Sequence, residues 1–211
     1  MHHILVAALT MFEVSMSAII AFDRPEENCH LFQGCFRDQR LERLATLLFA
    51  RMIIMMCVSL RRLAGCRKTE VAFGRLLKNK KFTVEKIVEA YTVKTAQIAE
   101  KSKHVLLIQD SVFLCFGRRG YTAKTGLGVG GNEYGMGFYL HPVLAVDPEQ
   151  EICLGLAALH QWVRKSDTER QRSKSLERHS LAIQDKESFR WISCANKAKV
   201  FLSESKENDN R

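Results

Sequence analysis

Apolar residues recur at helical spacing through the first half of the chain. Leu41, Leu44, Leu47, Leu48 and Met52 fall at steps of three and four, with Arg37, Arg40, Arg43 and Arg51 between them, which predicts a helix over 37–64. Asp38 stands where the dipole of that helix favours an acid. The run Met52-Ile53-Ile54-Met55-Met56-Cys57-Val58 is apolar on every side, so burial is expected there, and Gly65 should end the segment. A second helix is predicted over 69–77 with Thr69 as its cap, followed by a Lys78-Asn79-Lys80-Lys81 turn. Thr83 can cap a third helix, over about 84–102, with Val84, Ile87, Val88, Tyr91, Thr95 and Ile98 along one side.

The pattern changes at Lys103. His104-Val105-Leu106-Leu107-Ile108 is a short β-branched apolar run, predicting a central, fully buried strand that ends at Gln109-Asp110-Ser111. Residues 117–137 hold eight of the 12 glycines and read as a loop. Strands are predicted over 138–146 and within 151–163, separated by the turn Asp147-Pro148-Glu149-Gln150. Together with the first they make a three-stranded antiparallel meander. Residues 164–179 are polar and read as loop; Phe189, Ile192, Ala195, Ala198 and Phe201 predict a helix over 185–202, followed by a polar tail. The expected class is mixed α/β (α+β): an apolar extension over 1–30, a helical module over 31–102, and an α/β part over 103–211.

Charge sharpens this division. Residues 31–109 carry 16 basic and six acidic side chains, a net +10, in a chain of net +9. A basic segment of that density suits a polyanion, nucleic acid above all. Glu13 interrupts the apolar run of residues 1–22 and no basic residue precedes it, which disfavours both a signal peptide and a membrane span; no membrane partner is expected. The seven cysteines are odd in number and form no CxxC pair, which argues against a disulfide scaffold or a zinc ribbon and for reduced thiols in a cytoplasmic protein.

Asp110 is the sharpest chemical candidate. A carboxylate at the end of an apolar strand, facing a glycine-rich loop, can hold a divalent metal; it can equally cap the turn that follows. Gly126-Leu127-Gly128-Val129-Gly130-Gly131 approaches a dinucleotide fingerprint, but a strand follows it rather than the helix that phosphate binding requires. His104, His141, His160 and His179 form no HxH or HExxH pair, and His141 and His160 read as structural.

The order of these motifs resembles a known family. His104-Val105-Leu106-Leu107-Ile108-Gln109-Asp110-Ser111 resembles the first catalytic strand of bacterial insertion-sequence DDE transposases, of family four and the transposon-five type. Thr125-Gly126-Leu127-Gly128, the strand Gly137–Val146 with His141, the segment from Leu154 to His160-Gln161-Trp162-Val163-Arg164, and Lys186-Glu187-Ser188-Phe189-Arg190-Trp191 follow in the family's order. Upstream, Phe36-Arg37-Asp38-Gln39-Arg40-Leu41 resembles the family's DNA-binding module. The likeness spans about 31–205; Ser111 stands where the family has Thr, and Arg37 where it often has Gly.

The resemblance implies a helical DNA-binding domain followed by a ribonuclease-H-like domain, and cut-and-paste transposition through metal-dependent phosphoryl transfer. It implies Asp110 as the first catalytic and metal-binding acid, with Mg²⁺ or Mn²⁺ as cofactor. Double-stranded DNA at transposon ends is the implied partner, in a cytoplasmic, nucleoid-associated protein. The second and third acids have no counterpart before Arg211, so the expectation is a truncated and inactive transposase fragment. The alternative is a non-catalytic DNA-binding protein, or an inhibitor that partners the full-length enzyme. Arg37, Arg40, Arg43, Arg61, Arg62, Arg67, Lys68, Arg75, Lys78, Lys80 and Lys81 are the candidate DNA contacts.

Overall fold

The computed structural model describes residues 31–118, 126–130, 135–164, 182–186 and 188–208. The expectations for residues 1–30 and for the polar stretch from 165 to 179 lie outside them. The protein is mixed α+β, with helices and a five-stranded sheet. The described residues divide into two compact units: those up to Leu106 with Ala145–Leu156, and those of Leu107–Leu144 with those from Ala157 on.

The first unit is largely helical. Helix α1, Gln39–Met55, starts at Asp38, whose carboxylate accepts the backbone N–H of Arg40 at 2.9 Å and so satisfies one of the helix's open donors. The single helix expected over 37–64 is in fact two. Met56 turns left-handed (φ 45°), the N–H groups of Met56 and Cys57 close back on Ile53 and Met52, and α2 follows over Leu60–Ala64. The break is a compromise over the all-round apolar run. Met52, Cys57, Leu63 and Ala64 are buried, whereas Ile54, Met55 and Met56 are left exposed, Ile54 at 65%. The expected burial of the whole run is therefore corrected. Helix α3, Arg67–Lys78, begins two residues ahead of expectation. Left-handed Gly65 (φ 69°) ends α2 so sharply that Cys66, not Thr69, is the capping position. Helix α4, Val84–Ala99, starts as expected at Thr83, whose hydroxyl accepts the Lys86 N–H at 3.4 Å.

Aromatic rings fill the centre of this unit. Phe32 meets Phe49 edge-on at 4.9 Å between centroids, Phe36 lies 5.7 Å from Phe82, and Tyr91 lies 5.9 Å from Phe49. Two cations belong to the architecture. The Arg51 guanidinium donates to the carbonyls of Leu63 and Ala64 at 2.8 and 2.9 Å and lies 6.0 Å from the centre of the Phe73 ring. Lys86 donates to the Cys35 carbonyl at 3.1 Å, over Phe36. At the tip of the hairpin assigned to this unit, Asp147 accepts the N–H groups of Glu149 and Gln150. The Ser102 hydroxyl and these two amides hold its carboxyl below the usual range.

The sheet consists of β1 (Leu106–Gln109), β2 (Val112–Arg118), β3 (Gly128–Val129), β4 (Gly135–Asp147) and β5 (Ile152–Trp162). All four other strands pair with β4, and β2 and β3 do so antiparallel. The three-stranded meander thus understates the sheet: β2 forms over residues for which the sequence pattern predicts no strand, and β3 lies within the expected glycine loop, of which residues 119–125 and 131–134 fall outside the described residues. The central, buried strand is β4, not β1. Leu106 and Ile108 on β1 are 52% and 53% exposed, while Phe138, Leu140, His141 and Val143 on β4 are buried. The final helix, α5, runs Phe189–Asn208, following a short turn of 3-10 helix over Ile183–Asp185. It starts later than the expected 185 and continues through much of the expected polar tail.

Candidate nucleic-acid interface and strand-end cluster

All eleven cations predicted to meet DNA lie in the helical unit, and all eleven are exposed. Arg37 precedes α1, Arg40 and Arg43 are on it, and Arg61 and Arg62 are on α2. Arg67, Lys68, Arg75 and Lys78 are on α3, and Lys80 and Lys81 occupy the turn before α4. Arg67 also pairs with Glu70 at 2.9 Å. The two cations that the fold uses, Arg51 and Lys86, are half-buried and were not among the eleven. Exposure therefore sets the eleven apart from the two cations that the packing uses, with Arg67 also tied to Glu70.

Asp110 sits in the two-residue break between β1 and β2. Its side chain is exposed, and its Oδ1 accepts the Ser111 N–H at 2.7 Å. Here the turn-capping role has a visible bond. Sequence reasoning missed the group next to it. Val112 pairs with Leu140, which sets Ser111 opposite His141 on the same face. His141 is 0% exposed. Its Nε2 lies 3.1 Å from Gln109 Oε1 and its Nδ1 lies 2.7 Å from Ser111 Oγ. An amide oxygen only accepts, so Nε2 carries the proton and Nδ1 accepts from the serine hydroxyl. Burial holds His141 below the usual imidazole range; the nearby Asp110 opposes this and Arg190 reinforces it. The Trp191 ring lies 4.9 Å away. The available signal was the alternation of Gln109 and Ser111 on one face, which is legible only once β2 is recognised as a strand.

A second group lies along β4 and β5. Tyr139 stacks on Trp162 at 5.1 Å, Arg164 lies 4.2 Å over Tyr139 and donates to its hydroxyl at 2.7 Å, and Arg190 lies 4.4 Å over Trp162. The Trp-x-Arg and Arg-Trp pairs of the sequence thus serve to pack the sheet surface. The glycines have the same purpose. A Cβ on Gly137 would strike the Leu114 carbonyl, one on Gly130 the Phe113 ring, and one on Gly128 the Arg164 carbonyl. They permit close strand approach.

No three His, Cys, Asp or Glu side chains gather into a metal-binding group among the described residues. Among the described residues Asp110, bonded to its own turn, belongs to no such group and so does not fit the two-metal centre that the family resemblance implies. No helix among the described residues is long and apolar enough to cross a membrane. No protein-family model matches the chain, and no curated protein matches it.

Proposed function

We propose that this chain is a DNA-binding protein of the insertion-sequence transposase type, whose helical unit grips double-stranded DNA such as a transposon end. The observation that carries the reading is the separation of cations: eleven are exposed on one unit, while the two that the architecture needs are half-buried and bonded. Release of counterions from the DNA backbone would supply most of the affinity. The ordered motifs of the sheet support a ribonuclease-H-like relationship for the second unit. Gln109-Asp110-Ser111 stands at the end of β1, His141 on β4, and Trp162-x-Arg164 at the end of β5.

In this reading the chain occupies DNA without cutting it, because one carboxylate cannot hold two metal ions against both the attacking and the leaving oxygen. Such a protein competes with an active transposase for the same ends, in the bacterial cytoplasm or nucleoid. The test mixes the full chain with a transposon-end duplex and Mn²⁺. A retarded band with intact strands is expected. Metal-dependent nicking that disappears in Asp110→Ala would overturn the claim of inactivity, and the absence of any retarded band would overturn the DNA-binding claim.

A further inference from the structure

Helix α3 differs from its neighbours in what it shows to solvent. Its exposed residues are Arg67, Lys68, Val71, Arg75 and Lys78. At 3.6 residues per turn these five fall within an arc of about 100°. Phe73, Leu76 and Leu77, all buried, take the opposite side. The outward face is thus four cations around one apolar side chain, Val71, which is 37% exposed. The other long helices of the unit present something else. α4 exposes Glu85, Glu89, Val93 and Gln97, with Glu100 exposed just past its end, a surface that repels phosphate. α1 exposes Arg40 and Arg43 but also Leu47, Ile54 and Met55.

We propose that α3 enters the major groove of double-stranded DNA and that Val71 and Arg75 on its outer face read base edges; this rests on the DNA-binding reading above and goes beyond it. The major groove, about 12 Å wide, admits one α-helix. Twelve residues make a rod of about 18 Å, and this rod is held firmly. The aromatic and leucine side chains anchor its inner face. Left-handed Gly65 gives it an abrupt start, and Arg51 ties the end of α2 to α1 beneath it. Within the face the roles divide by position and chemistry. Val71 sits mid-arc, where an apolar group meets a thymine methyl. Arg75, one turn on, has the planar fork that matches guanine O6 and N7. Arg67, Lys68 and Lys78 flank them towards the phosphates.

The experiment selects duplexes from a library with 20 random base pairs, using the full 211-residue chain, and then measures binding of the enriched duplex against a mixed-sequence duplex. Enrichment is expected, with guanine N7 methylation at one enriched position abolishing the preference. Arg75→Ala and Val71→Ala should each cut the preference for the enriched duplex by about tenfold, with mixed-sequence binding changed less than threefold. Arg40→Ala should lower binding to both duplexes equally. Binding without enrichment, or a preference untouched by N7 methylation and by both α3 variants, overturns the α3 assignment and leaves the DNA-binding reading standing. A chain that binds neither library nor mixed duplex overturns both. Circular dichroism melts of the variants, expected to match the parent, show that loss of preference is not loss of fold.

Discussion

His141 shows how one strand position acquires a demanding environment. It is fully buried, both ring nitrogens are engaged, and its charged form is disfavoured. Its depressed pKa has a definite sign for stability. The stabilising contribution is complete above the ordinary imidazole range and is lost as pH falls through and below it, because the folded state resists a proton that the unfolded chain accepts. His160, also held low by burial and by Arg190 and Lys197, pulls the same way. The urea midpoint should therefore fall between pH 7 and pH 5, and fall less in His141→Gln. A midpoint that rises over that interval would contradict the assignment. His141→Ala removes a ring and leaves Ser111 and Gln109 without their partner, which should cost about 2–4 kcal/mol in chemical denaturation. The sequence places His141 in a strand but not its partners, since Ser111 faces it only through the β2–β4 register. Residues 112–118 carry no turn signal before Gly117, yet the glycine-rich stretch beyond masks the strand they form.

Among elements, the helices were the most legible because three- and four-residue spacing survives any packing arrangement. Their ends depended on single residues: Met56 divides a predicted helix in two, and Gly65 with Cys66 shifts the start of α3. Periodicity does not register such backbone turns. Strand order was less legible for a different reason. Several apolar runs compete for the middle of the sheet, and composition does not say which wins. β4 takes it by pairing with all four others, while β1 is left half-exposed. Two substitutions test this level. Arg51→Ala strips two charge-assisted hydrogen bonds from the end of α2 and contact with Phe73, with an expected cost of about 1.5–3 kcal/mol. Arg51→Lys should recover only part, because an ammonium lacks the guanidinium fork. Gly137→Ala drives a methyl into the Leu114 carbonyl on the paired strand and should lower the melting temperature more than Gly74→Ala, where a Cβ meets nothing within 4 Å.

For the molecule as a whole, residues 31–109 carry a net +10 in a chain of net +9, and in that segment the eleven exposed candidate cations stand apart from Arg51 and Lys86, the two spent on packing. The concentration of charge is legible in the sequence; which cations the packing uses is not. The sheet-bearing unit was legible chiefly through ordered motifs, and its acid, Asp110, is exposed and tied to its own turn. The central claim is that the helical unit binds DNA through its backbone charge, and salt tests it most directly. Anisotropy of a labelled duplex should be titrated with the full chain across a series of salt concentrations. If about half of the eleven cations displace counterions, log K falls against log salt with a slope of about −5. A slope near zero, or no binding at low salt, would contradict the account.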